Sequence, residues 1–161
     1  MLKNSNNRRV VTFCYQPETW QLFISVLVDF FANESRCCVG LNGDLGAGKT
    51  FLVRELLNAL GIEEVVKSPT FSIIESYQVG GTDVHHIDCY RLSEMSHLVH
   101  IGYEPSDPCL SFIEWSDRLP ELDQYLDIEI HINDSIGRQY QIAGLTPIGE
   151  QLINRLEDQR F

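Results

Sequence analysis

The sequence is organised around the stretch Gly43-Asp44-Leu45-Gly46-Ala47-Gly48-Lys49-Thr50. This stretch satisfies the pattern G-x-x-x-x-G-K-[ST] at every fixed position. Residues 37–41, just before it, are apolar and typical of a buried parallel strand. After it, leucines recur at helical spacing until Gly61, where a helix is expected to end. A strand, a glycine-rich loop and a helix in this order predict a phosphate-binding loop, the Walker A motif.

The loop contains the residue types that a nucleoside triphosphate requires. Glycines let backbone N–H groups turn inward around the β- and γ-phosphates without Cβ clashes, and the following helix adds its positive N-terminal end. Lys49 can reach phosphate oxygens, and the Thr50 hydroxyl is placed to ligate Mg²⁺. The alternative is a glycine-rich turn before an ordinary helix. We favour the nucleotide site, with contacts expected from Asp44, Leu45, Gly46, Ala47, Gly48, Lys49, Thr50 and Phe51.

Composition limits the classes of protein to which the chain can belong. Its 161 residues include 23 acidic and 12 basic residues, and the net charge of −11 argues against tight direct binding to nucleic acid. No apolar run approaches the length of a membrane span, and the N-terminus lacks the apolar core of a signal peptide. The five cysteines form no C-x-x-C pair and are interpreted as small hydrophobic residues. We expect a cytoplasmic protein without membrane contact, with one domain over residues 1–161 and a flexible polar segment at residues 1–9.

Hydrophobic patterning along the chain predicts an α/β fold. We expect a P-loop NTPase-like sheet with a parallel centre, antiparallel hairpins, and helices on both faces. The predicted elements are a strand at 10–14, a helix from Pro17, a hairpin of 71–77 with 84–88, a short helix capped by Ser93 and ending near Gly102, a strand at 109–115, a hairpin of 126–132 with 138–143, and a closing helix from Pro147. His85 and His86 have no second pair at metal-ligand spacing and are interpreted as ordinary strand residues.

Two carboxylates end predicted strands and compete for the role beside the metal. Glu114 follows the more apolar strand, as a Walker B acid does, so we favour it with Thr50 as the Mg²⁺ partner. Asp88 is then expected to orient or activate the attacking water. Either acid can instead be a plain strand-end residue. Thr70 lies in the loop after the Walker A helix, where nucleotide switches often sense the γ-phosphate, although an ordinary connection explains that loop equally well.

The ordered motifs resemble the TsaE (YjeE) family of small bacterial P-loop ATPases. The residues that carry the resemblance are Leu41 to Thr50, Lys67-Ser68-Pro69-Thr70-Phe71, His86-Ile87-Asp88-Cys89-Tyr90-Arg91-Leu92, Gly102 and Ile113-Glu114-Trp115. The resemblance implies binding and slow hydrolysis of ATP to ADP with Mg²⁺, in support of the TsaB–TsaD pair that places threonylcarbamoyl on adenosine 37 of tRNA. It implies contact with tRNA only through that complex. It also implies Thr70 in a switch-like loop, Trp115 beside the site, and Arg138 close to the nucleotide.

The chain departs from the family pattern at Phe51, where many members have a second hydroxyl residue. The backbone N–H of Phe51 can still bind phosphate, but a side-chain hydrogen bond would be missing. Two other functions stay open at this point. One is a small-molecule kinase that uses the same loop, although no lid-like insertion with several arginines is visible. The other is a nucleotide-gated binding module in which hydrolysis is not required.

Overall fold

The computed structural model describes residues 8–159. Residues 1–7, most of the segment predicted to be flexible, lie outside the described residues. Arg9 belongs to that segment, and its guanidinium donates to Asn154 Oδ1 at 2.7 Å and pairs with the carboxylates of Glu150 and Glu157. None of the helices between residues 8 and 159 is long and apolar enough to cross a bilayer.

The described strands form one sheet of seven, in the order β1-β7-β6-β2-β5-β4-β3. The strands are β1 (Val10–Cys14), β2 (Cys37–Asn42), β3 (Ile74–Val79), β4 (Thr82–Asp88), β5 (Leu110–Glu114), β6 (Ile128–Asn133) and β7 (Gln139–Gly144). The four central strands β6, β2, β5 and β4 are parallel. The hairpin β3–β4 closes one edge, and β6–β7 extended by antiparallel β1 closes the other. The predicted parallel centre with antiparallel hairpins is confirmed.

Helices cover both faces of the sheet. The described helices are α1 (Pro17–Phe31), α2 (Lys49–Ala59), α3 (Ser96–His100) and α4 (Pro147–Glu157), with two 3₁₀ turns at Ser116–Arg118 and Pro120–Gln124. The first core contains apolar residues of α1, α2 and α4. The second contains Leu98 of α3 with Leu119 and Leu122 of the 3₁₀ segment. Alternate residues of the strands serve the two cores, since Val39 lies in the first and Cys38 in the second.

Local chemistry explains where most elements begin. Pro17 occupies the first turn of α1, and Thr146 caps α4 by accepting from the Gly149 N–H ahead of a second such proline.

Two predicted boundaries were wrong. Ser93 is not the cap of α3, which starts at Ser96 after a turn in which the Leu92 N–H donates to the Cys89 carbonyl.

The hairpin strand β3 also begins later than residue 71. The Ile73 N–H donates to the Pro69 carbonyl at 2.7 Å, and Ile73 has a φ of 68°. This local turn prevents residues 71–73 from extending the strand. It therefore returns the chain from the loop after α2 to the edge of the sheet.

Candidate functional site

The candidate site lies at the carboxyl ends of three adjacent parallel strands. Leu41 of β2 is in register with Glu114 of β5, which is in register with Asp88 of β4. The loop that follows β2 therefore opens beside both predicted carboxylates, as expected for the ligand crevice of an α/β sheet. A cleft of about 290 Å³ at this edge is lined by Leu45, Gly46, Gly48, Lys49, Thr50, Thr70, Asp88, Tyr90, Arg91, Glu114 and Trp115.

The phosphate-binding loop, residues 43–50, is shaped by glycines with positive φ. Gly43 has a φ of 137°, and a Cβ added there would collide with the carbonyl oxygen of Ile132 in β6. Gly48 has a φ of 105° and directly precedes α2, so the N-terminus of that helix faces the loop. A Cβ at Gly48 would lie 3.0 Å from the guanidinium carbon of Arg138. Positive φ therefore favours glycine at both positions, and at Gly43 the backbone of Ile132 excludes a Cβ as well, whereas the Arg138 side chain beside Gly48 can move.

The Lys49 ammonium is buried within the loop. Its Nζ donates to the carbonyls of Gly43 at 2.6 Å and Asp44 at 2.9 Å, and it lies 3.6 Å from the centre of the Trp115 ring. Burial lowers the pKa of Lys49, against the opposing charges of Glu114 and Asp88. Trp115 itself has a φ of 58°, and this left-handed backbone turns the chain where β5 ends. The aromatic ring predicted to lie beside the site is thus in contact with the loop lysine.

Glu114 joins α2 to the sheet at the floor of the cleft. The Thr50 hydroxyl donates to Glu114 Oε1 at 2.6 Å, and His86 Nε2 lies 2.7 Å from the same oxygen. Glu114 and His86 are both buried. The hydroxyl and the carboxylate predicted to attend Mg²⁺ are therefore in direct contact, even though 64 residues separate them in the chain.

Asp88 lies beside Glu114 on the neighbouring strand β4 and holds the loop after α2. Its Oδ2 accepts from the Thr70 hydroxyl at 3.1 Å, and its Oδ1 accepts from the Tyr90 N–H at 2.8 Å. The Thr70 hydroxyl is also 2.8 Å from Ser68 Oγ. The structure thus brings Thr70 and Asp88 together, while Phe71 next to them has 85% of its surface exposed.

The remaining predicted nucleotide contacts lie outside the main cleft. Arg138 places its guanidinium 5.5 Å from the Phe51 ring, and its Nε is buried without a partner among residues 8–159. The Phe51 ring stacks on Trp20 in the first core at 5.5 Å, so it packs inward. Asp44 and Ala47 line a separate depression with Leu45, Gly46, Asp134 and Ser135, next to the β6–β7 turn.

The side chains of the cleft fit a magnesium–triphosphate group. An ammonium and a helix N-terminus complement phosphate, and a hydroxyl with carboxylates supplies the hard oxygen ligands that Mg²⁺ prefers. Among the described residues, no group of three or more His, Cys, Asp or Glu side chains is arranged to hold a metal ion. Mg²⁺ sites in proteins commonly use one or two carboxylates, and substrate phosphates and water complete the coordination.

Sequence reasoning missed His86, Tyr90 and Arg91 as residues of this region. The Tyr90 ring is tilted by 52° against the Trp115 ring with the ring centres 5.0 Å apart, and Arg91 lies over the Phe71 ring. One available signal was strand alternation, because His86 stands two residues before Asp88 and so shares its face of β4. Sequence alone did not show that Glu114 would lie on the strand next to His86.

Comparisons with known proteins agree on one family. The family model described as "Threonylcarbamoyl adenosine biosynthesis protein TsaE" matches residues 17–140. A relative from Haemophilus influenzae, a tRNA threonylcarbamoyladenosine biosynthesis protein TsaE, is 36% identical over 129 residues, covering 75% of this chain and 78% of its own. One of the same description from Nostoc is 39% identical over 109 residues, covering 64% and 67%. The crystal structure of Bacillus subtilis YdiB has a similar fold, with a TM-score of 0.71, 23% identity, and coverage of 96% and 98%.

Proposed function

Because the chain belongs to the TsaE family of threonylcarbamoyladenosine (t6A) biosynthesis proteins, we propose that it binds ATP with Mg²⁺ in the cleft and hydrolyses it slowly. The family assignment confirms the resemblance that the motifs indicated. In this proposal the nucleotide cycle drives or resets a TsaB–TsaD complex that modifies tRNA. The protein acts in the cytoplasm and contacts tRNA only through those partners.

The observation that carries the proposal is the contact between Thr50 and Glu114 beside Lys49. The 2.6 Å hydrogen bond places a hydroxyl and a carboxylate at one point, and the ammonium stands in the adjoining loop. Thr50 and Glu114 would hold Mg²⁺ there, and the ion would neutralise negative charge that develops on the phosphate during hydrolysis. The Lys49 ammonium bonds to neutral carbonyls, so a charged phosphate oxygen is a stronger acceptor for it.

Hydrolysis is assigned to Asp88 with the support of Thr70. Both oxygens of Asp88 are oriented by donors, the Tyr90 N–H and the Thr70 hydroxyl. A carboxylate held in this way can accept a hydrogen bond from water, and this bond orients the water oxygen toward the terminal phosphorus. The bond from water oxygen to phosphorus then forms as the bond to ADP breaks, and the proton passes to the carboxylate or to phosphate.

Slow turnover follows from the arginines near the cleft. Arg91 lies over the ring of Phe71, with its guanidinium 4.9 Å from the ring centre. Arg138 lies behind Gly48 and faces Asp134 at 3.5 Å. Among residues 8–159 neither guanidinium forms an ion pair with Asp88 or Glu114. An arginine placed on the transferring phosphate accelerates related NTPases by about 10³–10⁵. We therefore expect the partner proteins to complete the site.

The test begins with Lys49→Ala, and its matched control is Arg36→Ala. Arg36 precedes β2 and so lies at the end of that strand opposite the loop, and its loss also removes one positive charge. Fluorescent ATP binding with Mg²⁺ is measured first. The variant should bind at least about tenfold more weakly, as loss of a charge-assisted contact of about 1.5–3 kcal/mol implies, and the control should match wild type.

The same variants are then expressed in cells depleted of the endogenous protein, and t6A is quantified in their tRNA. Wild type and Arg36→Ala should restore t6A, and Lys49→Ala should not. Full restoration by a Lys49→Ala protein that no longer binds nucleotide would refute the proposal. ATP hydrolysis by wild type is measured alone and with TsaB and TsaD. Robust turnover that the partners leave unchanged would contradict the partner-dependent cycle.

A further inference from the structure

The side chain of His86 contacts the candidate metal carboxylate and has no part in the function proposed above. It is fully buried in β4, and its Nε2 lies 2.7 Å from Glu114 Oε1. A carboxylate can only accept, so His86 Nε2 donates this hydrogen bond. Its other nitrogen, Nδ1, is buried without a partner among the described residues. Within residues 8–159, the single polar contact of this imidazole is therefore with Glu114.

Two donors converge on one oxygen of Glu114. Oε1 accepts from Thr50 Oγ1 at 2.6 Å as well as from His86, and no described residue donates to Oε2. The donors come from different elements, α2 and β4, so they fix the carboxylate from two sides. This leaves Oε2 for a ligand in the cleft that Glu114 lines.

The position of His86 is set by the sheet. His86 is in register with Phe112, and Asp88 with Glu114, so His86 reaches Glu114 diagonally across the pair β4–β5. His85 on the opposite face bonds instead to Ser76 of the hairpin, at 2.9 Å. The two adjacent histidines therefore have separate environments, and His86 alone of the two contacts a residue that lines the cleft, Glu114.

We propose that His86 is a positioning residue that holds the Glu114 carboxylate in the orientation required for Mg²⁺ bound with nucleotide. This inference rests on the proposed function, since it assigns a task within the same site. Groups that hydrogen-bond to metal ligands orient them, and their loss typically weakens metal affinity by about 10–100-fold. A purely structural histidine would affect the stability of the fold but leave the metal dependence of nucleotide binding unchanged.

The test uses His86→Gln and His86→Met, which match in length and shape. Glutamine keeps an N–H donor that can reach Glu114, and methionine has none. Affinity for a fluorescent ADP is measured with Mg²⁺ and with EDTA, and the ratio of the two gives the metal contribution. His86→Met should lower this ratio about tenfold, with little change in the affinity measured in EDTA. His86→Gln should retain most of the wild-type ratio. His85→Met is the control and should match wild type.

Thermal unfolding of each variant separates positioning from folding. The inference is overturned if His86→Met is less stable but keeps the wild-type ratio of affinities with Mg²⁺ and EDTA. It is also overturned if this ratio falls equally in His86→Met and His86→Gln. Should His86→Met not fold, His86→Asn replaces it, because the shorter amide cannot reach Glu114. A wild type that binds nucleotide equally well with Mg²⁺ and EDTA overturns the inference together with the proposed metal site. Variants equal to a metal-dependent wild type overturn the inference alone.

Discussion

Alanine substitutions at Gly43 and Gly46 probe why the phosphate-binding loop has its shape. The two glycines belong to the same loop, and both have positive φ, 137° and 82°. They differ in their surroundings. A Cβ at Gly43 would collide with the carbonyl oxygen of Ile132, whereas a Cβ at Gly46 would have no heavy atom within 4 Å. Alanine at Gly46 therefore introduces backbone strain alone, whereas alanine at Gly43 adds a collision with the sheet to backbone strain.

The expected magnitudes follow from these two terms. A non-glycine residue in a sparsely populated positive-φ conformation costs about 1–3 kcal/mol, and this cost applies to both variants. Overpacking against a rigid neighbour costs about a further 1–3 kcal/mol, and it applies at Gly43 alone because the Ile132 carbonyl belongs to β6. Gly43→Ala should therefore lower the free energy of unfolding by about 1–3 kcal/mol more than Gly46→Ala does.

The assay is urea unfolding of nucleotide-free protein, followed by tryptophan fluorescence and by far-UV circular dichroism. Coincident transitions from the two probes would show two-state unfolding, and equal m-values would show that the variants expose the same surface. The difference in unfolding free energy is read from the midpoints. Leaving nucleotide out matters because Gly46 lines the cleft, so its substitution also affects binding.

Equal losses for Gly43→Ala and Gly46→Ala would refute this reasoning. That result would mean that β6 moves away from the loop at little cost. A larger loss at Gly46 would also contradict it. If the expected order is found, the first fixed glycine of the motif is required by its backbone conformation and by contact with the sheet, independently of phosphate.

Four further predictions follow from the site, the core and the cysteines. Asp88→Asn should retain Mg²⁺-dependent ATP binding, and its partner-stimulated rate of phosphate release should fall by about 10²–10⁴. Glu114→Gln should instead weaken the Mg²⁺ dependence of ATP binding. If the two variants behave identically, the separate roles of the two carboxylates are contradicted. Phe51→Ser removes a half-buried ring that stacks in the first core, so the free energy of unfolding in urea should fall by about 2 kcal/mol. An unchanged urea midpoint would contradict this prediction. Burial raises the pKa of Cys38 from 9.0 to about 12. As pH rises, the thiol therefore ionises in the unfolded chain before it ionises in the folded protein. The free energy of unfolding should fall as pH rises above about 9. At neutral pH a thiol reagent should label the exposed Cys14 in native protein and all five cysteines after denaturation.

Elements with strong local signals were predictable from the sequence. The loop at Gly43 to Thr50, the prolines at 17 and 147, and the clean alternation in β6 each use interactions within a few residues. The boundaries that failed, at Ser93 and at residue 71, lie where a local turn replaces the expected pattern. A turn such as the one that ends at Ile73 depends on a positive φ that its residue type does not indicate.

The contacts within the site were less predictable than its members. Thr50, Glu114, Asp88 and Thr70 were recognised from motifs, and Glu114 was favoured over Asp88 as the partner of Thr50. The hydrogen bonds that join these side chains were not predicted. The pairings Thr50–Glu114 and Thr70–Asp88 depend on strand order and register, which join residues 64 and 18 positions apart. His86 was assigned no role because its partner lies on a neighbouring strand.

The sequence by itself determined that a glycine-rich loop joins a buried strand to a helix, because turn chemistry and hydrophobic periodicity act over short distances. It also determined which residue types stand at the ends of the strands. Only the tertiary structure decided that β5 lies between β2 and β4, with β1 added beyond the β6–β7 hairpin. That order arises from long-range strand pairing and from the burial of two separate cores. It brings Glu114 within hydrogen-bonding distance of both Thr50 and His86.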